Sequence, residues 1–149
     1  MCHLNRWHIF FILDRKYTSG IIMIKSITKQ FNKACVDYNL LSDGDKILIG
    51  LSGGKDSLLL LKLLAERSRI FKPRISVEAI HIVMDNVPYS SDIKYLDSFC
   101  SSYGVVFHVH HASFDDNSPK SKCFLCSWNR RKAMFQYAVI NGFNKVALG

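Results

Sequence analysis

From Ile24 the apolar positions Ile24, Ile27, Phe31, Ala34, Tyr38 and Leu41 recur at intervals of three and four. That spacing predicts one face of an amphipathic helix, ended by the turn Ser42-Asp43-Gly44-Asp45. Lys46-Ile47-Leu48-Ile49-Gly50-Leu51 follows, a short apolar run suited to a strand buried on both faces. Beyond Ser52-Gly53-Gly54, residues 58–65 are apolar almost all round and broken only by Lys62. A helix covered over most of its circumference fits that run. After Pro73, residues 75–84 carry the β-branched side chains of a second strand, ended by Asp85-Asn86-Val87-Pro88. Ile93, Leu96, Phe99 and Cys100 sit at helical spacing within residues 90–103; residues 105–110 read as a third strand and 112–122 as a polar loop. A last helix, from about 125 to 141, is expected to turn Trp128, Phe135 and Ala138 inward, and Lys145-Val146-Ala147-Leu148-Gly149 reads as a fourth strand after Gly142.

Strands alternating with helices of this length predict an α/β domain on a parallel, doubly wound sheet. No internal repeat or low-complexity tract interrupts it. Met23 opens a segment that reads as a natural beginning, so residues 1–22 are expected to be an extension and 23–149 the domain. Gly149 follows directly on a predicted core strand, which would leave a strand tip uncovered. The sheet is therefore expected to be incomplete on its C-terminal side, as in a truncated domain.

Composition narrows the classes. With 149 residues, 48% hydrophobic and three prolines, the chain is too apolar for disorder. No stretch approaches the roughly 20 apolar residues that span a bilayer. The run 7–13 after Arg6 is short, is followed at once by Asp14-Arg15-Lys16, and lacks a small-residue cleavage site, so it does not read as a secretory signal. The net charge of +8 favours an anionic partner. Five irregularly spaced cysteines do not suit a disulfide scaffold, which points to a reducing, cytoplasmic setting.

Two stretches carry chemistry. The first is Leu51-Ser52-Gly53-Gly54-Lys55-Asp56-Ser57, between the first predicted strand of the domain and the apolar helix. Paired glycines allow backbone N–H groups to turn inward, and the helix behind adds its positive N-terminal end. Ser52 and Ser57 supply hydroxyl groups and Lys55 a point charge. The string is not a Walker A loop, which needs Gly where Ile49 stands and Ser or Thr where Asp56 stands, nor a dinucleotide fingerprint. The bland alternative is a tight turn with Ser and Asp capping the helix.

Ser52-Gly53-Gly54-Lys55-Asp56-Ser57 resembles the SGGxDS signature of the PP-loop ATP pyrophosphatases. The resemblance implies a doubly wound parallel sheet of the adenine nucleotide α-hydrolase type. It also implies cleavage of ATP between the α and β phosphates, with a substrate adenylated and pyrophosphate released. ATP would lie on Ser52, Gly53, Gly54, Lys55, Asp56 and Ser57, with Mg²⁺. Lys55 would stabilise the leaving pyrophosphate, and Asp56 would organise the loop or act on magnesium indirectly. Asp85 lies at the carboxyl edge where α/β sheets bind ligands and where this family receives adenine; a plain turn aspartate is the alternative.

The second stretch is Cys123-Phe124-Leu125-Cys126 with Lys122 before it and Arg130-Arg131 after it. Two thiolates three apart at a helix start can face one ion. A structural zinc site would need further ligands, for which His108, His110 and His111 are the nearby candidates. A thioredoxin-like pair, an iron–sulfur cluster needing more thiolates, and two buried unreactive cysteines also remain open. The pair, its basic follow-up and the final Leu148-Gly149 resemble the tRNA 2-thiocytidine synthetases within the same superfamily. That resemblance assigns Cys123 and Cys126 to two of three cysteine ligands of a [4Fe-4S] cluster, and Gly149 to the nucleotide. It makes tRNA the substrate, a cysteine desulfurase system the sulfur donor, and a homodimer the assembly.

Residues 117–149 hold Lys120, Lys122, Arg130, Arg131, Lys132 and Lys145 and no acidic residue, as an RNA backbone would require; a solvated helix face is the alternative. Lys122, Arg130 and Arg131 are the chosen RNA contacts. The expected function is ATP-dependent formation of 2-thiocytidine in tRNA, a transferase reaction. Two readings stay open beside it. One is another PP-loop adenylating enzyme, such as a tRNA-lysidine synthetase, with no need of Cys123 and Cys126. The other is a non-catalytic ATP- or RNA-binding remnant.

Overall fold

The computed structural model describes residues 9–10, 20–88, 91–115, 117 and 119–149. Most of the expected extension, and parts of the loops at 89–90 and 112–122, lie outside them. The elements run β1 (Ile9–Phe10), α1 (Gly20–Asp37), β2 (Lys46–Gly50), α2 (Lys55–Ser68), β3 (Ser76–Met84), α3 (Ile93–Ser102), β4 (Val106–Ala112), α4 (Lys122–Ile140) and β5 (Lys145–Leu148). All strand pairs are parallel, in the order β1-β5-β2-β3-β4. The short strand β1 was not anticipated; Ile9 and Phe10 pair with Val146 and Ala147.

The alternation of side chains along the strands feeds two cores. Ile47, Ile49, Ala79 and Ala147 meet Phe31 and Cys35 of α1, Leu60, Leu61 and Leu64 of α2, and Leu96 and Cys100 of α3. Leu48, Ile80, Ile82, Met84 and Val146 meet Ala133, Met134 and Ala138 of α4. Helices therefore cover both faces. Winding proceeds outward from β2 through β3 to β4, then returns through α4 to β5 on the other side of β2. The reversal leaves a crevice at the carboxyl ends of β2 and β5, where doubly wound sheets bind ligands.

Three expectations are corrected. The helix α1 ends at Asp37 rather than near Leu41 because Asn39 adopts φ +49. The Leu40 N–H then donates to Cys35 O and the Asn39 N–H to Val36 O, the paired bonds of a Schellman cap. Trp128 was expected in the core and is 60% exposed. Lys145 was counted with a basic surface tract and is buried: its ammonium donates to Asp45 Oδ2 at 2.5 Å and to Leu40 O at 2.6 Å.

Candidate functional site

The sharp exit from β2 is built on Gly53, whose φ of +87 is open to glycine and strained for other residues. A Cβ there would also meet Ser91 Oγ at 3.0 Å. Ser91 ties this turn down by donating to Ser52 O at 3.1 Å. Gly54 is the N-cap of α2 and has no side chain with which to satisfy the helix's first N–H groups. Ser57, buried beneath the loop, donates to Gly54 O at 2.8 Å. The Ser52 hydroxyl donates to Ser57 Oγ and accepts from the Gly54 N–H, both at 3.3 Å. Bonds of that length are weak, so a phosphate oxygen can replace them at little cost. Lys55 and Asp56 occupy the exposed first turn of α2.

The loop opens onto a cavity of about 340 Å³. Gly50, Leu51 and Ser52 form one side, Ile80, His81 and Ile82 a second, Leu148 and Gly149 a third, and Ser127, Arg130, Arg131 and Met134 of α4 the roof. Gly149 fits because it lacks a side chain: a Cβ would stand 2.8 Å from Asp56 O and 3.0 Å from Ser57 Cα. Arg130 Nε is buried and has no hydrogen-bond partner among the described residues. A buried guanidinium donor without a partner costs free energy that an anion would recover. Arg130 and Arg131, chosen from sequence as RNA contacts, thus line the same cavity as the glycine loop.

His81 adds a residue that no motif marks. It is buried, and its Nδ1 lies 2.7 Å from Leu51 O, which places the ring proton on Nδ1 and ties β3 to the start of the glycine loop. Its signal, a lone titratable residue in an apolar strand, is faint. Asp85 is at the end of β3 as expected but does not line this cavity; its Oδ1 is 2.6 Å from His111 Nδ1. Lys122 begins α4 on the exposed surface.

Ser121 caps α4, its hydroxyl accepting from the Phe124 N–H, so the cysteine pair falls in the first turn and just beyond. Cys123 is exposed, Cys126 half-buried, and neither is in a disulfide. Cys123 is therefore not a core thiol, whereas Cys126 packs against the core around Leu48. Cys123, Ser127, Arg130 and Met134 fall at i, i+4, i+7 and i+11, one stripe of the helix. Its last three members line the cavity, so Cys123 extends that wall by one turn. Cys35 and Cys100 are buried in the opposite core, where desolvation pushes both thiols up, Cys100 to about 11. The accessible donors thus fit two thiolate positions of a cluster, and no group of three or more His, Cys, Asp or Glu is gathered for a metal among the described residues. The three histidines considered as zinc ligands are otherwise engaged: His108 with Glu78 at 2.6 Å, His111 with Asp85, and His110 against the Tyr137 ring.

Residues 23–145 match a protein family described as the PP-loop domain. The chain is 37% identical over 128 residues to the tRNA-cytidine(32) 2-sulfurtransferase of Bdellovibrio bacteriovorus, covering 83% of this chain and 49% of that protein. It is 32% identical over 131 residues to the protein of the same name from Chromohalobacter salexigens, covering 84% and 45%. The chain spans about half the length of the curated relatives it matches. Among solved structures it resembles the U34-tRNA thiolase NcsA of Methanococcus maripaludis with its [4Fe-4S] cluster, at a TM-score of 0.72 and 26% identity, covering 85% of this chain and 44% of that one.

Proposed function

Since this chain belongs to the PP-loop family, we infer that it supplies the ATP-binding part of an enzyme that thiolates cytidine in tRNA. The observation that carries the reading is the cavity itself. A glycine loop of the SGGxDS type faces a buried, unpartnered arginine donor, and the stripe of α4 that bears this arginine begins at Cys123. The relatives named as tRNA-cytidine(32) 2-sulfurtransferases support the choice of substrate.

In this reading the triphosphate lies on the N–H groups of Gly53, Gly54 and the first turn of α2, with the hydroxyls of Ser52 and Ser57 turned to its oxygens. The O2 atom of the cytosine attacks the α-phosphorus, an O–P bond forms, and the bridge to the β-phosphate breaks. Charge that collects on the departing pyrophosphate meets Lys55, Arg130 and Arg131, together with the magnesium that the nucleotide brings. His81 keeps Leu51 in register so that the loop holds its shape. A sulfide-level nucleophile then attacks C2, the C2–O2 bond breaks, and AMP leaves carrying that oxygen. Cys123 and Cys126 would hold part of a [4Fe-4S] cluster, which supplies the sulfur-carrying centre when bound.

Equilibrium dialysis should show ATP binding that Arg130→Ala weakens by about ten- to a hundredfold, since a hydrogen bond to a charged group contributes roughly 1.5–3 kcal/mol. Fused to the remaining half of the Bdellovibrio relative and reconstituted anaerobically with iron and sulfide, residues 23–149 should develop visible charge-transfer absorption. Nucleoside mass spectrometry should then find 2-thiocytidine in tRNA. The Cys123→Ser and Cys126→Ser forms should lose both signals while still binding ATP. A fusion that makes 2-thiocytidine equally well without those cysteines would overturn the assignment of the pair, and one that releases no AMP with tRNA would overturn the function.

A further inference from the structure

Beside the stripe that lines the cavity, α4 carries a second one. Phe124 and Trp128 are 48% and 60% exposed, and their rings stack nearly parallel, at 8°, with centroids 6.3 Å apart. The ammonium of Lys120 lies 5.2 Å from the centre of the Phe124 ring. Phe124, Trp128 and Arg131 fall at i, i+4 and i+7, and Arg131 also lines the nucleotide cavity. The aromatic pair therefore adjoins both the cavity wall and the stripe begun by Cys123.

Packing among the described residues does not explain the pair. The inward face of α4 is filled by Leu125, Ala133, Met134 and Ala138, and the indole, 60% exposed, is left outside it. A lipid surface or an apolar partner helix would call for a broader apolar face. The exposed neighbours of this pair along α4 are Lys122, Cys123, Ser127, Arg131 and Lys132, none of them a large apolar side chain. Residues 117–149 contain no carboxylate side chain. A planar aromatic surface the size of one base, set among cations on a helix that bears no carboxylate side chain, is complementary to a nucleobase carried on a phosphate chain.

We propose that Trp128, backed by Phe124, is a stacking platform for an unpaired RNA base next to the nucleotide being modified. The proposal rests on the tRNA reading above and adds a site to it. An enzyme that attacks a base must take it out of its stack, and the neighbour left behind loses an aromatic partner. The indole replaces that partner. Stacking tolerates any base, so the platform holds the strand in place without reading its sequence.

Trp7 and Trp128 are the two tryptophans of the chain, so Trp7→Phe leaves Trp128 as the only indole reporter. Titrating this form with a single-stranded pyrimidine oligonucleotide should quench its emission, and the same sequence held in a duplex should quench it far less. Trp128→Ala should weaken single-strand binding by about tenfold, roughly 1.4 kcal/mol, while Trp128→Tyr restores most of it. ATP affinity should stay within about twofold in both variants, which also reports that they fold. The salt slope of binding should not change in Trp128→Ala, because no phosphate contact is lost, whereas Lys132→Ala should lower it by about 0.7. RNA that binds with unquenched emission, and with unchanged affinity in Trp128→Ala, overturns the platform and leaves the tRNA reading standing. Failure of the parent chain to bind RNA at all, with ATP binding intact, counts against both. A blue shift on phosphatidylserine vesicles with no response to RNA reassigns the surface to a membrane and overturns the proposal.

Discussion

The four described cysteines divide by solvent access, and that division has a consequence at alkaline pH. Cys100 is fully buried, and desolvation, with a smaller push from the Asp97 charge, lifts its thiol from the ordinary 9.0 to about 11. The unfolded chain gives up this proton first. Stability that the neutral thiol contributes is thus fully present below pH 9.0 and is lost as pH rises towards about 11. Within that window the slope is on the order of 1.4 kcal/mol per pH unit. Urea unfolding at a series of pH values should show a decline above pH 9 that is shallower in Cys100→Ala, whatever that variant costs at neutral pH; parallel curves would refute the account. The glycine loop was legible in the sequence because its chemistry is local: seven consecutive residues specify turn, donors and charge. His81 was not, because its meaning depends on Leu51, thirty positions away, which only parallel pairing brings alongside. Trp128 was misjudged since helical spacing marks a face but does not say which face is inside.

Among the elements, α4 shows most clearly what periodicity can and cannot specify. Its existence and approximate span followed from spacing, and Ser121 sets its start three residues earlier than expected. Its phase followed from contacts the sequence does not display. Ala138 has no exposed surface and lies against the sheet, whereas Ile140, two residues on, is 81% exposed. Ala138→Leu should cost about 1–3 kcal/mol by overpacking, and Ile140→Ala should stay within about 0.5 kcal/mol of the parent. Denaturant midpoints at unchanged m-value check both, and reversed effects would mean that the helix is rotated on the sheet. The strands were easier to read. Ile47, Leu48 and Ile49 of β2 are wholly buried, as an unbroken apolar run in a covered parallel sheet should be. The end of α1 was harder, because Leu41 prolongs the apolar spacing past a residue, Asn39, whose left-handed conformation had already closed the helix.

At the scale of the molecule the two ends of the sheet have separate tasks. The carboxyl ends carry the cavity, and the amino ends carry a polar clamp. Asp45 accepts from the Lys145 ammonium at 2.5 Å and from Asn144 Nδ2 at 2.9 Å, and Asn144 Oδ1 accepts from the Lys46 N–H at 2.8 Å. Asp45 and Lys145 are 4% and 7% exposed, so removing one charge strands the other in the interior. Asp45→Ala should cost about 3–5 kcal/mol, read as a fall in Tm, with ATP affinity unchanged at temperatures where the variant is folded. A loss of ATP affinity as large as the loss of stability would show that the two ends are coupled. The clamp was invisible in the sequence, where Lys145 counted only as one more surface cation.

The central place of β5, between β1 and β2, sets an order of events on the ribosome. β2, β3 and β4 can zip together as they emerge, but β1 meets no strand partner among the described elements until β5 is made. Meanwhile the flank of β2 stands open, a row of unpaired backbone groups of the kind that recruits other chains. Leu148 and Gly149 also complete the cavity wall. A nascent chain therefore gains this part of its cavity wall only when the adhesive stage ends, since the strand that covers the flank of β2 is the one that brings Leu148 and Gly149 into place.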